Sequence, residues 1–271
     1  MSGKWRAIVL TGASGGIGRE LAIAFAAPGV TMLLVGRDRA RLDGAALAAR
    51  ERGAKVETAV LDVTDAEALA GRLAAFDAAH AVDLVVANAG VSAGRAPGGA
   101  IEPPGTMRRL VEINLMGAVN TVEPLIPAMV ARGAGRIALV SSLAGLRPLP
   151  DMPAYSATKA ALRAWGTSLR GALAPRGVGV SVISPGFVTT PMAQRHRGPK
   201  PFEMDAARAA RIISRGLERG RPLITFPLPL AAMVWLGNRL PPVLSDLAIR
   251  AFGAEILPEG DEGDDGGRDG L

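Results

Sequence analysis

Short apolar runs alternate with alanine-rich stretches of helical period along most of the chain. The pattern predicts a strand at Trp5–Thr11 and a helix to about Ala27, then a strand at Thr31–Val35. A helix follows at Asp38–Arg52, with Asp38 as its N-cap. Lys55–Leu61 reads as a strand, Asp65–Ala78 as a helix and Asp83–Ala87 as a short buried strand. A long helix covers roughly Gly105–Ala131, followed by a strand at Arg136–Ser141 and a helix at Pro153–Leu173. Val178–Ser184 (strand), Glu203–Arg219 (helix) and Pro222–Thr225 (strand) complete the series. Strand and helix in strict alternation, joined by short loops, predict a doubly wound parallel sheet. Without an internal repeat or a shift of composition, residues 1–225 read as one catalytic domain. Residues 226–258 read as its apolar C-terminal extension, and 259–271 as an acidic, glycine-rich disordered tail.

Composition narrows the chemistry. The chain has 271 residues, 49% of them hydrophobic, enough for a substantial core, and no cysteine. Disulfides, thiolate catalysis and zinc–thiolate sites are excluded. The two histidines, His80 and His196, lie far apart. No metal-ligand cluster is visible, and each histidine reads as solvated surface. The formal charge is +6, and the last thirteen residues carry a net −5, which leaves the body at about +11. A basic body suits phosphorylated cofactors, acidic carriers or anionic lipid. The arginines are dispersed and aromatics scarce, so nucleic-acid binding is not expected. The apolar run Ala7–Leu10 is too short for a signal peptide, and a cytoplasmic protein is expected.

The first strand leads into Thr11-Gly12-Ala13-Ser14-Gly15-Gly16-Ile17-Gly18, which opens a helix. Glycines let the backbone turn sharply and approach a pyrophosphate, and the helix N-terminus supplies free N–H groups. Gly12, Ser14, Gly16, Ile17 and Gly18 are the candidate cradle. The second strand ends Gly36-Arg37, where dinucleotide folds read the adenine ribose. A carboxylate there selects NAD. Arg37 instead offers a cation to a 2′-phosphate, which favours NADP and leaves NAD as the alternative. The neighbouring Asp38 points away if it caps the next helix, and Arg37 as a merely exposed side chain stays open. Asp62-Val63 ends the third strand, with the acid placed for the adenine amino group. Asn88-Ala89-Gly90 ends the fourth, its glycine permitting close approach of a ribose and its asparagine bracing neighbouring strands.

Tyr155 is the only tyrosine, and Lys159, four residues on, is one of four lysines in a chain otherwise rich in arginine. Residues i and i+4 share a helix face. A cation beside a phenol favours phenolate and is expected to lower the tyrosine pKa. The alternative is an incidental pair on an amphipathic helix.

With these pieces in order, the chain resembles the classical short-chain dehydrogenase/reductase family. The matching elements are Thr11-Gly12-x3-Gly16-x-Gly18, Asn88-Ala89-Gly90, Asn114, Ser142, Tyr155-x3-Lys159 and Pro185-Gly186, covering residues 5 to about 195. The resemblance implies a single Rossmann-type domain, with a mainly parallel seven-stranded sheet and helices on both faces. It implies that Tyr155 passes the proton to or from the substrate oxygen and that Lys159 holds the nicotinamide ribose and favours tyrosinate. Ser142, with Ser141 as its alternative, would stabilise the substrate oxygen. Asn114 would position a relay water, unless it merely caps or kinks a helix. Pro185, Gly186, Val188 and Thr190 would lie over the nicotinamide, with Val188 backbone and the Thr190 hydroxyl on the carboxamide and diphosphate. Pro191–Pro201 reads as a mobile substrate lid whose Arg195, His196 and Arg197 meet an anionic substrate, or as a plain solvated loop.

Beyond Thr225 the chain departs from many relatives, running through an apolar segment to Leu236 and a second expected helix at Val243–Phe252. The first run is too short to span a bilayer, and Pro241-Pro242 interrupts its extension. Pocket wall or subunit interface, membrane-surface anchor and plain core remain open. The expected function is NADP-preferring interconversion of a secondary alcohol and a ketone, on an apolar substrate. The alternative is a non-catalytic dinucleotide-binding sensor or scaffold. The expected partners are the small-molecule substrate, a membrane surface through 226–252 and, by resemblance, further copies of the chain in a homodimer or homotetramer. No metal site is expected.

Overall fold

In the computed structural model, seven strands lie side by side in the order β10-β6-β5-β4-β1-β2-β3, all parallel. They are β1 Ala7–Thr11, β2 Thr31–Gly36, β3 Lys55–Val60, β4 Leu84–Ala87, β5 Gly135–Val140, β6 Val178–Pro185 and β10 Leu223–Phe226. The structure describes residues 5–95, 102–241, 243–244, 253 and 255–257. Every residue of β1 and β4 is buried, as expected of central strands covered on both faces. The period of two divides them: Ile8 and Leu10 face one core, while Val9 faces the other.

The first core is closed by α1 (Gly16–Phe25), α2 (Arg39–Arg50) and the helix Ala206–Glu218. The second is closed by α3 (Ala66–His80), α4 (Thr106–Arg132) and α5 (Pro153–Leu173). The elements predicted between Trp5 and Thr225 are all present, with ends shifted by a few residues. Asp38 caps α2 through a 3.0 Å bond from Arg41 N–H, and Asp65 caps α3 from Ala68 N–H. Pro153 starts α5 at a position where its missing N–H costs nothing.

Three regions depart from expectation. α4 is not uniform: Val111–Met116 is wound as a π-turn and Glu123–Leu125 as a 3₁₀ turn. By length and composition it is apolar enough to cross a membrane. Its Ala118, Val122, Leu125 and Met129 are buried against the sheet, however, so it reads as a core helix. The stretch expected as a mobile lid is instead built from short paired pieces. β7 (Val188–Thr189) pairs with β9 (Met204–Asp205), α6 (Pro191–Gln194) follows β7, and β8 (His196–Arg197) pairs antiparallel with β11 (Glu255–Ile256). The Ala206–Glu218 helix, α7, leaves β9.

The run after Thr225 forms α8 (Leu228–Gly237), in which no residue is buried. Leu228, Trp235 and Leu236 are 74%, 60% and 60% exposed, which removes the plain-core reading for this helix. The expected helix at Val243–Phe252 falls largely outside the described residues, and the tail 259–271 lies wholly outside them.

Candidate active site

Sheet order reverses between β1 and β4, and loops leaving their C-terminal ends diverge there to open a cleft. The cavity measures about 400 Å³. Gly12, Ser14, Gly16 and Ile17 line one end. Gly12 has φ +66°, and a Cβ there would sit 2.8 Å from Ala89 Cα. A Cβ on Gly18 would sit 2.0 Å from the Gly12 carbonyl oxygen. Gly18 therefore does not line the cleft; it lets the first turn of α1 pack beneath the cradle. Asn88 braces this turn, its Nδ2 donating to the carbonyls of Thr11 and Gly12 at 3.1 Å each. The Thr11 hydroxyl in turn accepts from the N–H groups of Asn88 and Ala89. Backbone and side chain are thus held in a shape that leaves N–H groups open to a pyrophosphate, and the residues present fit a dinucleotide.

At the far side of the cradle stand Arg37, Asp62 and Val63. Asp38 is turned into its cap and away from the cleft, as the sequence suggested. Arg37 lies 3.6 Å from Asp62 in a half-exposed pair. Burial works to raise the Asp62 carboxyl, but bonds from the Thr64 N–H and hydroxyl, together with Arg37, hold it below its ordinary value. Arg41, in the first turn of α2 and 3.4 Å from the Asp38 carboxylate, also lines the cleft. It was not singled out from the sequence, because no helical spacing links it to Arg37, which lies before the Asp38 cap.

Ser142, Tyr155 and Lys159 meet at the other end. Tyr155 and Lys159 share the cleft-facing side of α5, with the Lys159 ammonium 5.6 Å from the phenol ring centroid. Lys159 is 4% exposed and donates to the Val140 carbonyl at 2.9 Å. Burial lowers its pKa to about 8. The expected lowering of the Tyr155 pKa is not found in the protein alone. Burial raises it, and the bond with the Ser142 hydroxyl works only in part against that. Lys159 sits over the ring face rather than against the phenol oxygen, so desolvation outweighs its charge. Ser142 Oγ accepts from Ala144 N–H at 3.1 Å, and its own proton is directed to the Tyr155 oxygen. Ser141 is turned the other way, its hydroxyl bonded to the Lys159 carbonyl at 2.7 Å, so it anchors α5.

Asn114 is fully buried in the π-turn of α4 and does not line the cleft. Its Oδ1 accepts from Val91 N–H at 2.8 Å, and its Nδ2 donates to Val91 O and Thr158 Oγ1 at 3.0 and 3.2 Å. Both amide protons are engaged, and one lone pair of Oδ1 remains. That oxygen and Lys159 Nζ both press on Gly90, where a Cβ would meet them at 3.1 and 3.4 Å. The extra residue of the π-turn puts Asn114 behind the lysine, as such bulges do at functional sites.

Pro185, Gly186, Val188 and Thr190 roof the cleft. Thr190 Oγ1 accepts from Ala193 N–H at 3.1 Å and caps α6, and its hydroxyl proton remains available to a phosphate oxygen. The substrate end is apolar, walled by Leu149, Met152, Phe187, Met192 and Ile256, with Ser92 and His196 among them. Sequence reading missed most of these because no motif marks them. His196 corrects an expectation: it is 8% exposed rather than solvated, whereas His80 is a surface residue beside Glu57. Arg195 is also engaged, donating to Ser92 Oγ at 3.2 Å and reaching the carbonyls of Ser92 and Leu257. It is thereby withdrawn from the expected anionic-substrate role, and Arg197 is exposed. No described residue of α8 lines the cleft.

Among the sequence-predicted cofactor and reacting residues, then, all but Gly18 and Asn114 line one cavity, while the candidate substrate contacts Arg195 and Arg197 do not. A parallel doubly wound sheet, a glycine cradle at its switch point and a Ser–Tyr–Lys cluster facing it define a nucleotide-dependent oxidoreductase. The short chain dehydrogenase family description matches residues 6–200. The chain belongs to the short-chain dehydrogenase/reductase family. It is 39% identical over 247 residues to an uncharacterized oxidoreductase of Myxococcus xanthus, covering 91% of this chain and 97% of that one. Among solved structures it is similar to a short-chain dehydrogenase from Sphingobium yanoikuyae in complex with NADPH, with TM-score 0.73 and 26% identity over 87% of this chain and 96% of that one. It is similar as well to a short chain dehydrogenase from Mycobacterium paratuberculosis bound to NAD, with TM-score 0.71 and 25% identity over 81% and 94%.

Proposed function

We propose that this oxidoreductase interconverts a secondary alcohol and a ketone with NADP as preferred cofactor, on an apolar, lipid-like or cyclic substrate. The observation that carries the reading is the convergence of Ser142, Tyr155 and Lys159 at the apolar end of a cleft whose opposite end holds Arg37 and Arg41. Two guanidinium groups, Arg37 beside Asp62 and Arg41 beside Asp38, stand at this end and suit a 2′-phosphate.

A nicotinamide bound in the cleft would supply or take the hydride. In ketone reduction Tyr155 gives its proton to the carbonyl oxygen. The Ser142 hydroxyl donates to the same oxygen and stabilises its developing charge. Lys159, held by the Val140 carbonyl, is placed to orient the ribose and to return a proton toward Tyr155. A water donating to the remaining lone pair of Asn114 Oδ1 would connect Lys159 to solvent. The raised Tyr155 pKa suits the reductive direction, since the phenol keeps its proton at neutral pH. A non-catalytic sensor is not favoured, because all four reacting positions are filled and none is diverted.

The same reading includes a cytoplasmic setting with peripheral membrane contact through α8. Exposed Leu228, Trp235 and Leu236 and a basic body support that contact. Self-association through α4 and α5 is also part of it, supported by exposed Met107 and Met116. The test of function is a panel of long-chain and polycyclic ketones and alcohols followed by cofactor absorbance, with NADPH and NADH titrated separately. Turnover of apolar ketones with lower KM for NADPH is expected. Turnover with none of them, despite tight cofactor binding, would sink the reading. Membrane contact predicts sedimentation with anionic liposomes that Trp235→Glu and Leu236→Glu abolish, and no change in the variants would remove it.

A further inference from the structure

Between Tyr155 and Lys159 stand three residues that the motif leaves open, and two of them carry buried hydroxyls: Ser156 and Thr158, each 1% exposed. The two hydroxyls are used differently. Ser156 accepts from Leu149 N–H at 3.1 Å and holds the loop before α5. Thr158 meets the π-turn of α4 instead. Its hydroxyl donates to the Tyr155 carbonyl at 2.9 Å and accepts from Asn114 Nδ2 at 3.2 Å. One hydroxyl thus joins the backbone of the proton donor to the amide that stands behind Lys159.

The direction of each bond is fixed by its partners. Val91 N–H can be met only by the Asn114 amide oxygen, at 2.8 Å, and Val91 O only by the amide nitrogen, at 3.0 Å. These two bonds set which way round the amide lies and leave Nδ2 with a second proton. A threonine hydroxyl has one proton, and that of Thr158 is on the Tyr155 carbonyl, so its oxygen can only accept from Nδ2. Asn114 is fully buried, and a second N–H without an acceptor would be costly there. What stays open on the side chain is one lone pair of Oδ1, beside Lys159. A Cβ on Gly90 would meet Oδ1 at 3.1 Å and Lys159 Nζ at 3.4 Å. The amide therefore offers the lysine's surroundings an acceptor and no donor. Ser141 holds the lysine from the other side, its hydroxyl donating to the Lys159 carbonyl at 2.7 Å.

We propose that Thr158 is a positioning residue for proton return, which takes the second amide proton of Asn114 and so leaves Oδ1 as the sole contact for a relay water. The proposal rests on the oxidoreductase reading above and adds to it the residue that sets the polarity of the proton path. Each proton that Tyr155 gives to the substrate oxygen is replaced from Lys159, the lysine's from the water, and the water's from solvent. A relay water must receive a proton on a lone pair as it gives another away. Donating to Oδ1 keeps its lone pairs free, whereas accepting an amide N–H fills one of them. Without the Thr158 hydroxyl, the second N–H of Asn114 competes for that water.

Thr158→Val keeps the shape of the side chain and removes the hydroxyl. In the full-length protein with saturating NADPH and a ketone it turns over, kcat should fall roughly 10-fold while KM for ketone and cofactor affinity stay within about two-fold. The solvent deuterium isotope effect on kcat should rise, because proton return becomes limiting. Thr158→Ser, which keeps the hydroxyl, should restore most of the rate. In an Asn114→Ala background Thr158→Val should cost nothing further, since it acts through that amide. Unchanged kcat and isotope effect in Thr158→Val overturns the assignment. Equal loss in the Val and Ser variants does so too, since it marks a packing role, as does a full additional loss in the Asn114→Ala background. A measurement on the wild type needs no variant to turn over. The side-chain amide of Asn114, assigned in ¹⁵N–¹H NMR by its absence in Asn114→Asp, should show both protons protected from exchange, and one freely exchanging proton overturns the assignment. Absence of ketone turnover by the wild type counts against the proposed function, whereas amide protection judges the hold of Thr158 on Asn114 independently.

Discussion

The two ends of the cleft are built in different ways. The cofactor end is made of backbone and short motifs, each lying at the end of one strand: the Gly12–Gly18 turn after β1, Arg37 after β2, Asp62 after β3 and Asn88–Gly90 after β4. The substrate end is made of side chains from segments that meet only in the folded protein. Ser92 and Arg195, bonded at 3.2 Å, are separated by 103 positions. Ile256 and His196 pair from opposite sides of α7, β10 and α8. The cofactor end must recognise one constant shape, and backbone N–H groups held by glycine suffice. The substrate end must match a particular molecule, and side chains on loops carried by a rigid sheet supply that.

The largest effect should come from the point where the two ends meet. Tyr155→Phe removes the proton donor but not the ring, and should lower kcat by on the order of 10²- to 10⁴-fold. NADPH affinity measured by fluorescence titration should stay within a few-fold of wild type. Full retained turnover would break the mechanism.

Two glycine substitutions then separate the ends. Gly18→Ala places a Cβ 2.0 Å from the Gly12 carbonyl oxygen, and a backbone shift in the cradle must follow. Cofactor affinity should fall on the order of 100-fold, equivalent to about 3 kcal/mol. Gly94→Ala places a Cβ 2.5 Å from the Asp151 carbonyl oxygen and 2.6 Å from Ile256. It should raise KM for ketone by roughly 10-fold while cofactor affinity is unchanged, because the β8–β11 pair is displaced from the substrate end alone. Parallel loss of cofactor affinity in both variants would show that the two ends are not separable.

Arg37→Ala and Arg41→Ala should each reduce the NADPH-over-NADH preference by about 10-fold, through loss of a charge-assisted pair. Ratios of kcat/KM for the two cofactors check this, and an unchanged ratio in both variants would remove these arginines as readers of the ribose.

The smallest effect is in the pH profile. Lys159 has its folded-state pKa lowered by burial to about 8, against an ordinary value of 10.5. It is therefore charged below about pH 8 and neutral above. The kcat/KM for ketone reduction should decline by several-fold as pH rises through about 8, and Lys159→Arg should abolish that limb. Tyr155, whose pKa is raised, keeps its proton in that range and does not set it. Stability runs the opposite way: from about pH 8 to 10.5 the unfolded chain binds the extra proton, so Lys159 favours folding increasingly as pH rises.

The same contrast explains how far the sequence could be read. The apolar run of β1 followed by Thr11–Gly18 announces its own structure, because a strand, a glycine turn and a helix N-terminus are contiguous. Tyr155 and Lys159 were visible together because four residues on a helix are neighbours. Arg41 shares no helix with Arg37, and its place in the cleft depends on how α2 leaves its Asp38 cap. Asn114 was placed in a helix, yet the π-turn that sets it behind Lys159 is a feature of packing that no periodicity reports. His196 was assigned to solvent because the residues that cover it, Phe187 and Ile256, lie on other segments.

By itself the sequence determined the order of elements, the glycine turn after β1 and the juxtaposition of Tyr155 and Lys159, since each is specified by residues within one turn or one strand of each other. Tertiary structure alone decided the raised Tyr155 pKa, the engagement of Arg195, the exposure of α8 and the burial of His196. These depend on burial and on contacts between distant segments. Desolvation and partnering act across space rather than along the chain.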